Sequence, residues 1–171
     1  GAICVRLGYG YGTVRVSGNI CYGNYAPNGP GITMMQGENG VIERNLVYGN
    51  TTVLPSARRG AVFVWAEDVT VVNNTIADNS LGLTVLSSTN VDARNNIISG
   101  NSLGGLELQT DVGGNSDVTY DYNDVWSNGA MNYIACAPAP HDLAADPELF
   151  NAIQGAHFLA ATSPCIDAGD P

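Results

Sequence analysis

Pairs of asparagines five residues apart recur five times along the chain. The pairs are Asn19/Asn24, Asn45/Asn50, Asn74/Asn79, Asn96/Asn101 and Asn123/Asn128. The first asparagines of successive pairs lie 26, 29, 22 and 27 residues apart, so the spacing inside a pair is constant while the repeat length varies. This combination indicates a solenoid, in which stacked coils keep their register and insertions are confined to loops.

The residues around each pair predict three short strands per coil. One strand precedes the first asparagine, one lies between the two asparagines, and one follows a glycine, as in GLTVL at 82–86. Because side chains alternate along a strand, one set of positions points inward. The predicted inward columns are Val16, Ile42, Val71, Ala93 and Tyr120 in the first strand, Cys21, Val47, Ile76, Ile98 and Val125 in the second, and Ile32, Ala61, Leu83, Leu106 with Met34, Phe63, Val85, Leu108 in the third.

The asparagines themselves have a structural explanation. A tight bend between strands favours a residue that tolerates a left-handed backbone, and asparagine is the best choice after glycine. Stacked at the spacing of neighbouring strands, amides can also hydrogen-bond from coil to coil. We therefore predict an internal ladder of Asn45, Asn74, Asn96 and Asn123.

The repeat V-x-x-x-N-N-x-I-x-x-N followed by G-L-x-V, clearest at 69–86, resembles the parallel β-helix repeat of pectin-lyase-like proteins. The ending DPELFNAIQGAHFLAATSPCIDAGDP (146–171) resembles the closing segment of secreted bacterial β-helix proteins. The resemblance implies an all-β, right-handed single-stranded parallel β-helix of about five coils with a C-terminal cap. It also implies an extracellular or cell-surface location, and relatives that include polysaccharide lyases, hydrolases and epimerases as well as non-catalytic adhesin or tailspike modules.

Residues 1–137 form the predicted β-helix, and residues 138–171, with five prolines, form a non-repeating capping tail. The amino-terminal end has no comparable cap. Since an open solenoid end exposes unpaired strand edges, we expect either a homo-oligomer or a missing upstream domain there.

The charge balance excludes some partners. Sixteen acidic residues face six arginines and no lysine, for a net charge of −10. Nucleic acids and anionic lipids are bound through clustered basic residues, so neither is an expected partner. No run of 18 apolar residues occurs, so membrane insertion is not expected either.

Four cysteines occur, two towards each end of the chain. Without C-x-x-C spacing and with only two histidines, they do not suggest a zinc site. Their grouping predicts the disulfides Cys4–Cys21 and Cys136–Cys165, although other connectivities remain open and Cys21 or Cys4 would also fit as a buried small apolar residue.

Candidate catalytic residues lie on the outward side of the first strand. That column reads Ser17, Glu43, Val72, Arg94 and Asp121, with Asp92 in the same strand as Arg94. Arg94, Asp121 and Asp92 together could abstract a proton or anchor a sugar; the alternative is a structural ion pair. The loop 51–59 and the insertion 110–117 would wall a groove here. The residues predicted to bind substrate in it are Glu43, Arg58 and Arg59.

The insertion also suggests a cation. Asp111, Asp117 and Asp124 are the predicted ligands of a calcium ion, the one cofactor that the sequence suggests. The spacing matches neither an EF-hand nor a nonapeptide repeat, and aspartates are also ordinary turn residues.

Aromatic and apolar side chains on the outside suggest two surfaces. Tyr22, Tyr48 and Trp126 share the outward column of the second strand, where Tyr48 and Trp126 could stack on a sugar or merely cover their neighbours. The third strand has an outward apolar strip, which we expect the tail or a second subunit to cover. The strip comprises Met35, Val62, Val64 and Leu86.

Two functional hypotheses follow. In the first, the protein is an extracellular scaffold without catalytic activity that binds glycans or self-assembles. In the second, it is a small polysaccharide lyase or glycoside hydrolase that acts on the outer face of the first sheet, with or without calcium.

Overall fold

The computed structural model describes residues 2–53, 59–109, 113–150 and 157–170. In this part of the chain every regular element is a strand, and no helix is long and apolar enough to cross a membrane. The strands form a right-handed parallel β-helix of about five coils, as predicted.

Each coil contributes one strand to each of three stacks. The first-strand stack contains β2 (Val14–Ser17), the later parts of β5 (Ile32–Glu43) and β8 (Val62–Val72), β11 (Thr89–Arg94) and β14 (Ser116–Asp121). The second contains β3 (Ile20–Tyr22), β6 (Leu46–Tyr48), β9 (Thr75–Ala77), β12 (Ile97–Ser99) and β15 (Asp124–Trp126). The third contains β1 (Ile3–Arg6), the early parts of β5 and β8, β10 (Leu81–Leu86), β13 (Gly104–Gln109) and β16 (Tyr133–Ile134). We call these stacks the first, second and third sheets.

Two short pairs complete the fold. The strands β4 (Tyr25–Ala26) and β7 (Thr51–Thr52) pair in parallel, and β17 (Leu149–Phe150) and β18 (Phe158–Leu159) pair in an antiparallel manner within the tail.

The core confirms the predicted columns of the first two strands. Val47, Ile76, Ile98 and Val125 are completely buried and stand opposite one another in register. In the third strand the prediction is wrong for one coil, because Val62 and Val64, rather than Ala61 and Phe63, align with the inward pair Ile32 and Met34. The glycine that begins this strand is followed by one extra residue, which reverses the alternation.

The glycines near the start of the third strands are required by close packing of the coils. A Cβ atom at Gly60 would lie 2.4 Å from the carbonyl oxygen of Gly82, and one at Gly82 would lie 2.6 Å from that of Gly105. No side chain fits at these distances, so the recurring glycine marks a point where the backbones of successive coils touch.

The predicted asparagine ladder is present, and a second ladder runs beside it. The first comprises Asn19, Asn45, Asn74, Asn96 and Asn123; the second comprises Asn24, Asn50, Asn79, Asn101 and Asn128. The prediction that the ladder asparagines themselves adopt a left-handed backbone is wrong. The positive φ angles belong to the residues just before the ladder positions. In the first ladder these residues are Gly18, Arg44, Asn73, Asn95 and Tyr122.

The outer face of the third sheet differs from the prediction. Val62 and Val64 point inward and Leu86 is buried, so no exposed strip of four apolar side chains exists there. Phe63, which lies on the outer side, is covered by the guanidinium of Arg59, 4.8 Å from the ring centroid. The tail lies elsewhere, on the second sheet, where His157 contacts Tyr48 and Cys165 contacts Asp124.

Neither predicted disulfide is present, and all four cysteines are free thiols. Cys21 points into the core, whereas Cys4 is on the outer side of β1 in the column of Thr33. The thiol of Cys136 contacts the carbonyl oxygen of Leu106, and that of Cys165 donates to Asp124. Cys4 and Cys21 therefore face different surroundings from their strands, and Cys136 and Cys165 have separate hydrogen-bond partners.

Candidate functional site

The outward column of the first sheet has the predicted register. Glu43, Val72, Arg94 and Asp121 stand opposite one another on successive coils. Nη1 of Arg94, however, lies 3.4 Å from a carboxylate oxygen of Asp92 and 3.4 Å from one of Asp170. Arg94 is therefore neutralised by its own strand and by the tail, and it makes no ion pair with Asp121 in the described residues.

Asp121 instead holds the tail through His141. One carboxylate oxygen lies 2.7 Å from Nδ1 of His141, and the other accepts the backbone N–H groups of His141 and Tyr122, both at 2.9 Å. The rings of Tyr122 and His141 stack with centroids 4.6 Å apart. The hydrogen bond from His141 lowers the pKa of Asp121, so this carboxylate is an anion with its lone pairs largely engaged.

Glu43 has two arginine partners. Its Oε1 lies 2.6 Å from Arg15 and 2.8 Å from Arg44. The hydrogen bond from Arg15, followed by that from Arg44, lowers the pKa of Glu43 to about 2. The carboxylate thus ties the first coil to the second and has little capacity left for a substrate.

Of the two arginines predicted to bind substrate from the loop 51–59, Arg59 lies among the described residues. Arg58 lies outside the described residues. Arg59 donates to Oε1 of Gln109 at 2.7 Å and covers Phe63, so it packs against the outer face of the third sheet and not over the first. In the same place Glu107 is 1% exposed and accepts a hydrogen bond from Thr84.

The structure does not gather the predicted calcium ligands. Asp117 lies at the start of β14, in the first sheet, whereas Asp124 lies in β15, in the second. Asp124 is 3% exposed and accepts hydrogen bonds from the thiol of Cys165 and the backbone of Ala145. Asp111 lies outside the described residues, among which no cluster of three or more His, Cys, Asp or Glu side chains is arranged for a metal ion.

Burial raises the pKa values of Asp124 and its neighbour Cys165. Loss of solvent raises the pKa of this carboxyl, and the same cause, with the nearby Asp124, raises the pKa of Cys165 to about 12. Both groups border a cavity of about 300 Å³ between the tail and the second sheet, which Tyr122 and Leu159 also line. The hydrogen bond of this thiol to Asp124 indicates that the tail packs here against the second sheet.

The second sheet carries a groove with aromatic ends. Tyr22 stacks on Tyr48 with ring centroids 5.2 Å apart and planes at 4°, and His157 lies on Tyr48 at 4.6 Å. Farther along the same outward column, beyond the small side chains of Ala77 and Ser99, stands Trp126, which is 37% exposed. Because strands are about 4.8 Å apart, Tyr48 and Trp126 are separated by roughly 14 Å.

We call the space between His157 and Trp126 the second-sheet groove; its volume is about 240 Å³. Its lining residues are Asp78, Ser99, Gly100, Trp126, Ser127, Asp146, Pro147, Leu149 and His157. Nε2 of His157 is 3.3 Å from Asp78, while its Nδ1 is buried without a hydrogen-bond partner. None of the lining residues is basic apart from this histidine.

Sequence reasoning placed Trp126 correctly on this face but missed the residues that the tail adds. Tyr48, predicted to contact substrate, has Tyr22 on one side and His157 on another, so it supports the groove and does not offer a free ring face. No sequence signal links His157 or Asp146 to the second sheet, because the tail does not follow the repeat. The aspartate at 78 stands just before a ladder asparagine, in the left-handed position of the bend.

Comparison with known proteins agrees with this architecture. A family model described as "Right handed beta helix region" matches residues 2–138. No curated protein and no solved structure matches the chain. The family match spans well over half of the chain, and the protein belongs to the right-handed β-helix family.

Proposed function

We propose that this protein is an extracellular β-helix module that binds a neutral polysaccharide in the second-sheet groove and does not cleave it. The observation that carries the proposal is Trp126, a half-exposed indole at one wall of a concave, partly polar groove. An indole face supplies apolar contact area for the C–H face of a sugar ring, and the polar groups around it can bind hydroxyls.

The charges in the groove favour a neutral ligand. Asp78 and Asp146 line it, and both are exposed. Carboxylates make strong hydrogen bonds to hydroxyl groups but repel uronic acids, and the overall charge of −10 adds to that repulsion. A polysaccharide of neutral hexoses or pentoses therefore fits the groove better than pectate or alginate.

The test compares the two tryptophans. Binding to a panel of neutral and acidic polysaccharides is measured by affinity electrophoresis and calorimetry for the parent chain, Trp126→Ala and Trp65→Ala. Trp65 is 40% exposed but lies at the end of a third strand, so it is a matched control. We expect at least about a tenfold loss for Trp126→Ala, equal to about 1.4 kcal/mol, and none for Trp65→Ala. Equal losses, or no binding by the parent chain, would refute the proposal.

A second function is favoured by one observation. The His141–Asp121 pair, at 2.7 Å, lies one coil from Arg94 and Asp92 on the first sheet, and a histidine beside a carboxylate can act in proton transfer. A polysaccharide lyase or hydrolase could use these groups. A depolymerisation assay, with calcium and with chelator, detects it: turnover that is lost in Arg94→Ala and His141→Ala would replace the binding module by an enzyme.

A further inference from the structure

The second-sheet groove is closed at one end by His157. Nε2 of this histidine lies 3.3 Å from a carboxylate oxygen of Asp78, and its ring packs on Tyr48 with centroids 4.6 Å apart. The side chain of His157 is only 5% exposed. Groups at these separations are in contact, and no sugar ring passes between them. A chain that lies in the groove therefore cannot continue past His157 towards Tyr48.

The remaining walls of the groove come from the bends and from the tail. Asp78, Gly100 and Ser127 occupy the left-handed position of the same bend in three successive coils. A Cβ atom at Gly100 would lie 2.5 Å from Oδ1 of Asp78, so the glycine allows this carboxylate to lie against the next bend. The tail contributes Asp146, Pro147 and Leu149.

Ser99 forms the floor of the groove. It stands between Ala77 and Trp126 in the outward column of the second sheet, and it is 6% exposed. Its hydroxyl has no hydrogen-bond partner among the described residues. Since buried hydroxyls in native proteins are almost always hydrogen-bonded, this one is available to a polar group of a ligand.

The size and polarity of the groove suit a single sugar ring. Its volume of about 240 Å³ is below the range of about 300–1,000 Å³ found for pockets that enclose drug-sized ligands. The carboxylates of Asp78 and Asp146 are exposed, and one oxygen of Asp146 accepts the backbone N–H of Glu148 at 2.9 Å. The other oxygens can accept hydrogen bonds from sugar hydroxyls.

Beyond Trp126 the surface is concave again. Trp126 and Ser127 also line a second space, of about 530 Å³, which the segment 128–132 completes. This segment, NGAMN, has no charged side chain, and Met131 is 53% exposed. Because the two spaces meet at Trp126, a chain that starts at His157 has a path over the indole.

We propose that the second-sheet groove binds the end of a neutral glycan chain and not its interior. The terminal sugar lies between His157 and Trp126, with hydroxyls on the two aspartates and on Ser99. The next sugar packs on the indole, and the chain then leaves along 128–132. The inference rests on the proposed function, since it assigns to the same groove the part of the polysaccharide that enters it. An interior segment would need an exit at His157, where the side chains are in contact.

The first test counts chain ends. Linear β-glucan, mannan and xylan are offered to the parent chain intact and after partial hydrolysis, and calorimetry measures affinity per mass of polysaccharide. Chains that are about tenfold shorter carry about tenfold more ends per mass, so we expect the affinity per mass to rise by about that factor. An unchanged affinity per mass would overturn the chain-end assignment and leave glycan binding standing. Absence of binding to every neutral polysaccharide would instead remove the proposed function itself.

Two variants locate the sugars along the path. Ser99→Leu fills the place of the terminal sugar, so we expect it to weaken every oligosaccharide from disaccharide to hexasaccharide by at least about tenfold. Met131→Ala should weaken the longer oligosaccharides and leave the disaccharide unchanged; equal losses for all lengths in Met131→Ala would overturn the path over Trp126. Thermal midpoints equal to that of the parent chain show that both variants fold. Oligosaccharides reduced to alditols identify the chain end: retained affinity assigns the non-reducing end, and lost affinity assigns the reducing end.

Discussion

The carboxyl-terminal end of the solenoid is covered by its own chain, whereas at the amino-terminal end the half-buried ladder asparagines have no donor among the described residues and Tyr22 and Tyr25 are exposed. At the covered end a loop brings Asp142 under Asn123, and the tail then returns along the second sheet to Asn95 and Asp78. At the amino-terminal end, here called the bare end, Asn19 and Asn24 donate to Asn45 and Asn50, and no hydrogen bond from a described residue reaches their own Oδ1 atoms. The comparison shows that each coil extends both ladders with the same residue, whereas at the covered end residues outside the repeat accept the last bonds: the carboxylate of Asp142 in the first ladder and the amide of Asn132 in the second.

The largest expected effect comes from breaking the ladder in its middle. Asn96 is 1% exposed, donates to Asn123 and to the carbonyl of Val71, and accepts from Asn74. Asn96→Ala leaves several of these buried groups unsatisfied, so we expect a loss of about 3–5 kcal/mol in the free energy of unfolding. Asn19→Ala, at the bare end, should cost about 1 kcal/mol or less, measured by urea unfolding. Equal costs would contradict the inferred difference between the ends.

The next effect tests the closed end. Asp142→Ala removes the acceptor of the Asn123 backbone N–H and of the Tyr133 hydroxyl, and we expect a loss of about 1–3 kcal/mol. Glu67→Ala is the control, since Glu67 is an exposed carboxylate outside the ladders. Hydrogen exchange should localise the loss to β15 and β16; a loss spread over all coils would contradict a local closing role.

The sequence predicts the structure well for residues inside the repeat and poorly for residues outside it. The ladder and the columns through Val47 and Val71 follow from period and alternation alone, because each coil repeats the same environment. The prediction for the third strand near Val62 is out of register, since a glycine alone does not fix how many residues separate it from the inward position. The partners of Asp121 and Asp78 could not be predicted, because His141 and His157 reach them from a tail with no repeat.

The alkylation rates of Cys4 and Cys165 provide a third comparison of the two ends. Cys4 is exposed in the edge strand of the bare end, whereas the pKa of Cys165, under the tail, is raised to about 12 by burial and by Asp124. Since the thiolate is the reactive form, we expect iodoacetamide at pH 8 to modify Cys4 at least about tenfold faster than Cys165. Peptide mass spectrometry under non-reducing conditions measures both rates. A Cys136–Cys165 disulfide in that experiment would show that the tail is fixed covalently and not by packing.

The smallest expected effect is a pH dependence that differs between the ends. The pKa of Asp121 is lowered in the folded protein, chiefly by its hydrogen bond with His141, so its stabilising contribution is present above the unfolded value of about 3.9 and is lost as the pH falls through the folded value. Glu43, whose pKa is lowered to about 2 by Arg15 and then by Arg44, keeps its link to Arg15 until the pH falls to about that value.

We therefore expect limited proteolysis with pepsin, in steps from pH 4 to pH 2, to release the tail before it cuts the first two coils. Asp121→Asn and His141→Ala remove the same interaction, so each should allow release of the tail already at pH 4, and the double variant should add nothing further. If cleavage instead began between β2 and β6, the Arg15–Glu43 link would be the weaker of the two, and the bare end would also be the less stable one in acid.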